Sequence, residues 1–169
     1  MSNLIEIKMR DNIILRGLIY LSKNNLNNNK CMVILSISPY RNFEQKKYIE
    51  IFGKFLSTIP AHYIVMDVRG TGESDGIYTN EYSQDEILDT MDCIKYIHMQ
   101  DWCNKYIMMH GMSYSAFNAL QSLDNIIKPN ALFIMHVSND RFNNDVHYFG
   151  GVKTITEDMN YSYAMTSSN

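Results

Sequence analysis

Apolar and polar residues alternate from Leu4 to Met9, the period-two signature of a strand with one buried face. Asp11-Asn12 is a turn signal and Ile13–Leu21 reads as a second strand, so the opening segment predicts a hairpin. Lys23–Lys30 is an Asn-rich loop in which Leu26 alone is of core type. Cys31–Ile37 is a continuous apolar run of strand length, as expected of a strand covered on both faces in a parallel sheet. Pro39 ends it. From Lys46 to Ile59, Ile49, Phe52, Phe55 and Leu56 recur at helical spacing. His62–Val68 is a further apolar strand, closed by the turn-forming run RGTGESDG. Ser83 followed three residues later by Glu86 forms a capping box ahead of a stripe at Ile87, Met91, Ile94 and His98. Lys105–His110 predicts a short strand, Tyr114–Leu123 a helix and Ala131–Val137 another buried strand. The segment Thr154–Asn169 is polar with scattered Tyr and Met and carries only a weak pattern.

A hairpin followed by β-α-β-α-β-α-β predicts an α/β fold, a mostly parallel sheet with helices on both faces. The 169 residues suffice for one domain with a real core, and a net charge of −3 without a basic cluster gives nucleic-acid binding no electrostatic support. No apolar run is long enough to span a membrane, and MSNLIEIKMRDN lacks the features of a secretory signal. A cytoplasmic location is the expectation. Cys31, Cys93 and Cys103 are widely spaced with no CxxC pair, so they read as packed thiols rather than zinc ligands.

Ligands of open α/β sheets bind at the carboxyl ends of the strands. Two serines there stand in a pattern like G-x-S-x-G, the elbow that carries the nucleophile of α/β-hydrolases. Gly72-Glu73-Ser74-Asp75-Gly76 is the better match in letters, and Gly111-Met112-Ser113-Tyr114-Ser115 the better match in context. The elbow needs a strand running directly into a turn and then into a helix, which lifts the hydroxyl above the sheet. The strand before Ser74 ends near Val68 and no helix starts before Ser83, whereas Tyr106–His110 leads straight into Gly111 and Ala116–Leu120 is helix-competent. Ser113 is therefore the candidate nucleophile, and Ser74 reads as part of a turn-rich loop. Ser115 stands where the pattern has its last glycine, a departure that a small side chain able to bond locally can absorb.

Acyl transfer also needs donors for the developing oxyanion. The first is the backbone N–H of Tyr114. The loop Ser38-Pro39-Tyr40-Arg41-Asn42 should supply the second, and from position alone Tyr40 is either that donor or a surface-packing side chain. A phosphate-binding reading of RGTG lacks the glycine pattern and the lysine of a P-loop.

Four stretches resemble serine hydrolases of the cocaine-esterase and Xaa-Pro dipeptidyl-peptidase (CocE/NonD) family: SPYRN, MDVRGTGESDG, DCIKYIHMQDWCN with GMSYSAF, and SNDRFNNDVHYFGG. They span about Pro39 to Gly151 in the family's order. The resemblance implies an α/β-hydrolase core over residues 1–151, with residues 152–169 as the start of a cap or a frayed tail. It implies Ser113 as nucleophile and the Tyr114 N–H and Tyr40 hydroxyl as oxyanion donors. Asp140, Arg141 and Asp145 match the segment leading to the cap, where a structural role is expected. In the family the acid and histidine of the triad follow that cap, so the sheet should lack its last strands here. His62, His98, His110, His136 and His147 then read as packing or surface residues, with His136 and His147 the first substitutes for a base. The expected substrate is a small ester or peptide, with an Xaa-Pro bond as one option. No cofactor and no metal are implied, and no nucleic acid or membrane partner. A second copy or a complementing chain is left open, as is the alternative that the chain is a catalytically incomplete remnant.

Overall fold

The computed structural model describes residues 2–22, 30–41, 51, 55 and 58–167. The Asn-rich loop Lys23–Lys30 and the helix expected over Lys46–Ile59 fall almost wholly outside the described residues. The chain divides into two compact units, Met1–Met135 and His136–Asn169.

The first unit is built on a sheet in the order β1-β2-β4-β3-β5-β6. Its strands are β1 (Ser2–Lys8), β2 (Ile14–Tyr20), β3 (Cys31–Ser38), β4 (Ala61–Asp67), β5 (Cys103–Met112) and β6 (Ala131–Met135). The predicted hairpin is present: β1 and β2 pair antiparallel from Ser2↔Tyr20 to Lys8↔Ile14, and Asn12 takes the left-handed conformation of the turn at φ 73°. β2 joins β4 antiparallel, and β4, β3, β5 and β6 run parallel to one another. The continuous apolar runs are the central strands, as two-sided burial requires. Every residue of β4 is buried, and all of β3 except Met32.

β5 starts two residues earlier than expected and ends two later. Its entry is irregular. Cys103 pairs with Cys31 before a register shift, and Lys105 has φ 72°. The Cys31 N–H donates to the Trp102 carbonyl at 2.9 Å, which locks the Trp-Cys connection to the start of β3. Helix α1 (Gln84–Met99) begins at the Ser83 cap, and α2 (Tyr114–Gln121) passes into a short 3₁₀ turn at Ser122–Asp124.

The second unit holds a small hairpin of β7 (Tyr148–Phe149) and β8 (Val152–Lys153) followed by helix α3 (Ile155–Ser167). The pattern of this segment gives no firm prediction. The reason is physical: Ile155, Met159 and Tyr163 lie along α3 and are exposed, while Tyr161 and Met165 are only half-buried, so no fully buried stripe disciplines its apolar positions. Among the described residues no helix is long and apolar enough to cross a membrane.

The loop after β4 is held by buried charge. Arg69 grips Asp89 of α1 with a fork, Nε to Oδ2 at 2.7 Å and Nη2 to Oδ1 at 2.6 Å, and its Nη1 donates to Asp11 at 3.0 Å. Arg10 adds a second cation on Asp89 at 2.7 Å and reaches Asp85 at 2.6 Å. The hairpin turn, the β4 loop and α1 thus close on one carboxylate that is 1% exposed. Removing one member of a buried, hydrogen-bonded pair costs about 3–5 kcal/mol because the partner stays behind uncompensated. Asp89→Ala should therefore lower unfolding free energy by about 3 kcal/mol in urea titrations, against under about 1 kcal/mol for the exposed Asp85→Ala.

Candidate active site

Parallel register brings four strand ends to one edge of the sheet. Ser38 at the end of β3 pairs with Asp67 at the end of β4, and Met112 at the end of β5 pairs with Met135 of β6. Pro39-Tyr40 continues from β3, and Ser113 follows β5 without a spacer.

Ser113 occupies a sharp turn between β5 and α2. Its φ of 55° and ψ of −116° lie outside the regions L-residues favour, and α2 starts at the next residue. Such a conformation costs about 1–3 kcal/mol and persists only where its surroundings over-determine it. Three hydrogen bonds do so here. The Ser113 N–H donates to the Met135 carbonyl at 3.1 Å, and its carbonyl accepts from Ala116 at 2.9 Å and Phe117 at 3.1 Å. Gly111 explains how strand and helix approach so closely: a Cβ there would stand 2.3 Å from the Ser115 carbonyl carbon and 2.4 Å from the Ala116 nitrogen. The serine that replaces the last glycine of the pattern closes the elbow. Its Oγ accepts from the Met112 N–H at 2.9 Å and donates to the Met112 carbonyl at 3.1 Å.

Tyr114 is the first residue of α2, so its N–H belongs to the set that a helix leaves unused. Its side chain is buried in an aromatic nest. The ring stacks on Tyr82 at 4.3 Å and meets the Tyr40 ring edge-on at 6.1 Å. The hydroxyl donates to Glu86 at 2.8 Å, lies 3.2 Å from the Tyr78 hydroxyl and accepts from the Tyr82 N–H at 3.3 Å. Burial pushes the Tyr114 and Tyr78 phenols well above their ordinary values. Tyr40 is half-buried and packs against the main core, so its ring is fixed rather than loose on the surface.

Glu86 is the residue the sequence does not single out for this site. As predicted, its N–H donates to the Ser83 hydroxyl, at 3.3 Å. The carboxyl, 3% exposed, is also where the Tyr114 hydroxyl ends. Burial lifts it to about 7, with hydrogen bonds from Tyr114 and the Ser83 amide opposing the rise. An acid three residues past a Ser cap has so ordinary an explanation that its second role is masked. The run of Tyr78, Tyr82 and Tyr114 around it is the signal that could have found it.

Ser74 is a structural serine. It is buried, its hydroxyl donates to the Asp67 carbonyl at 2.8 Å and accepts the Arg16 N–H at 2.9 Å, and no helix starts at it. The neighbouring Gly72 is set against Asp67, whose Oδ2 would lie 2.0 Å from an added Cβ.

The histidines of the first unit have structural surroundings. His62 Nδ1 accepts the Ser22 N–H at 3.1 Å, and the ring meets Trp102 edge-on. His110 lies between Tyr63 and Phe133, and burial lowers the proton affinity of both imidazoles. His98 sits in the last turn of α1. In the second unit His147 Nδ1 pairs with Asp158 at 2.6 Å, Lys153 holds the other oxygen of Asp158 at 3.0 Å, and Arg141 pairs with Asp145 at 2.7 Å. His136 has φ 55°. Among the described residues no cluster of His, Cys, Asp or Glu is arranged to hold a metal ion.

The strain at Ser113 is measurable. Glycine adopts its backbone conformation without penalty, so Ser113→Gly should unfold at higher denaturant than Ser113→Ala, by roughly 1 kcal/mol. Gly111→Ala should cost about 2 kcal/mol or more, since the added methyl meets backbone rather than a movable side chain.

The comparisons with known proteins bear on the family and the fold. A solved CocE/NonD family hydrolase from Staphylococcus aureus superposes with a TM-score of 0.77 at 18% identity, covering 99% of this chain and 34% of that one. An aminopeptidase from a marine sediment Thaumarchaeota archaeon gives a TM-score of 0.75 at 20% identity, covering 98% of this chain and 30% of that one. The chain therefore spans about a third of each structure's length. In sequence, a Mycobacterium bovis protein that carries the name serine esterase is 39% identical over 57 residues, 34% of this chain and 9% of that protein. The family model for X-Pro dipeptidyl-peptidase (S15 family) matches residues 19–167, most of the chain. The chain therefore belongs to the X-Pro dipeptidyl-peptidase family S15 and has the fold of the α/β-hydrolases.

Proposed function

We propose that this chain carries the nucleophile and oxyanion donors of a serine hydrolase acting on an ester or peptide carbonyl. The observation that carries the reading is the strained Ser113 at the N-terminus of α2, held by backbone bonds and the Gly111 approach. Ser113 Oγ attacks the carbonyl carbon while a base takes its proton. The carbonyl oxygen becomes negative and is met by the Tyr114 N–H and the Tyr40 hydroxyl. Collapse expels the alcohol or amine with a proton from the protonated base, and water then releases the acyl group from Ser113. The family description makes an amino-terminal dipeptide ending in proline one substrate option.

A second reading is favoured by the histidines. His62 and His110 are engaged in the packing of the first unit, which favours a base and acid partner from outside that unit and a chain that is catalytically incomplete on its own. Loss of the base lowers turnover of a serine hydrolase on the order of a million-fold, while the oxyanion hole and binding retain roughly a thousand-fold over water.

The two readings separate in one assay, hydrolysis of an activated aryl ester with fluorophosphonate labelling as a second readout. Label should map to Ser113, disappear in Ser113→Ala and persist in Ser74→Ala. Trace turnover with the same dependence would support the incomplete reading. Turnover of about 1 to 1000 per second, abolished by Ser113→Ala, would show that the chain holds its own base. Label and turnover unaffected by Ser113→Ala would remove Ser113 from the site.

A further inference from the structure

The nest around Tyr114 has a use beyond packing. Tyr114 contributes two things at once: its N–H faces the turn that carries Ser113, and its hydroxyl is anchored in the protein at the far end of the ring. The anchor is Glu86, which accepts from that hydroxyl at both oxygens, at 2.8 and 3.0 Å. Glu86 sits in the first turn of α1, a helix otherwise fixed by the Arg69–Asp89 fork. The ring between these ends is clasped by Tyr82 on one face and Tyr40 at its edge. A two-point hold of this kind leaves the residue little freedom to rotate or slide along α2. The Tyr40 ring also rests on Tyr114, so both proposed oxyanion donors share one support.

We propose that Glu86 is a positioning residue for the oxyanion hole, setting the place of the Tyr114 N–H, and through ring contact that of Tyr40, by its bond to the Tyr114 hydroxyl. The proposal rests on the serine hydrolase reading of Ser113 and deepens it. Glu86 touches neither substrate nor nucleophile; it acts through Tyr114.

This placement makes the hold sensitive to protons. The groups acting on Glu86 are Tyr114 from α2, Ser83 at the cap, Glu81 in the preceding loop and Asp89 on its own helix; Tyr78 reaches it through Tyr114. None is a cation, and burial raises the carboxyl to about 7 from its ordinary 4.5. The folded protein keeps this proton where the unfolded chain has released it. The stability it contributes is full below the unfolded value and falls as pH rises through about 7. Protonated, Glu86 both accepts from and can donate to the phenols; ionised, it only accepts.

The test uses the full 169-residue chain with the Tyr114 backbone amide followed by NMR from pH 5 to 9. The amide should shift with a midpoint near 7 in wild type and stay still in Glu86→Gln, which keeps the shape and the hydrogen bond. In parallel, fluorophosphonate labelling of Ser113 should slow about tenfold in Glu86→Ala and in Tyr114→Phe, less than the 10²–10³ of losing a donor outright. The double variant should be no slower than either single one, because both remove the same bond. An amide that does not titrate in wild type, or titrates equally in Glu86→Gln, overturns the proposal whatever the labelling shows, and needs no variant that risks unfolding. Ser113 labelled at rates within twofold of wild type in both single variants also overturns it, and leaves the hydrolase reading standing. A titrating amide on a Ser113 that no probe labels removes the hydrolase reading and overturns the oxyanion-hole role with it, leaving only the Glu86–Tyr114 bond.

Discussion

The close approach of β5 to α2 is the constraint on which the candidate site depends. Helix and strand can meet at Gly111 only because nothing projects there, and that meeting leaves Ser113 one way to cross from one to the other. The backbone conformation that results is costly for a serine, and the cost is met by bonds from β6 and from the first turn of α2. The candidate nucleophile thus has its backbone held by main-chain bonds on either side of it. Ser74 is the contrast. Its letters match the motif better, yet its hydroxyl closes a loop onto Asp67 and Arg16 and is buried by doing so. The two serines differ in backbone geometry: Ser113 stands on a strained strand-to-helix turn and Ser74 in an irregular loop.

Charge is used for scaffolding in the same region. The MDVRGTGESDG stretch places an arginine where it can fork onto Asp89, and so ties the loop after β4 to the helix that carries Glu86. Asp89 takes two guanidinium groups and Glu86 takes none, although the two lie one turn apart on α1. One acid is thereby locked between two guanidinium groups, while burial raises the other to about 7 with a phenol for company. A single helix turn separates a structural carboxylate from one whose charge can change.

Much of this was legible in the sequence, for identifiable reasons. Strands covered on both faces must be apolar throughout, so Cys31–Ile37 and His62–Val68 declared both their type and their central place. The elbow was legible once context was weighed above letters, because a strand abutting a helix leaves a recognisable junction. The α3 helix was not, since of its large apolar residues Ile155, Met159 and Tyr163 are exposed and only Tyr161 and Met165 are half-buried, too few to set a period. The start of β5 was missed because the exposed Asn104 and Lys105 separate the buried Cys103 from the apolar run, where the register shifts near Cys31. Glu86 was visible only as a cap: its N–H and its carboxyl face different partners, and a sequence reports the nearer one.

The strand order has a consequence for the chain as it is made. β2 is finished by Tyr20, but the strand that pairs with its inner edge is β4, which ends at Asp67. β3 emerges in between and cannot substitute, because it lies beyond β4 in the sheet. At about 5–20 residues per second, the hairpin waits a few seconds on the ribosome with one backbone edge unsatisfied. Gly17 and Tyr20 face outward on that edge until Met66 and Tyr63 arrive. During that interval the nascent hairpin is a template for any other strand in reach, which makes the pace of translation through residues 21–60 part of how this sheet acquires its order.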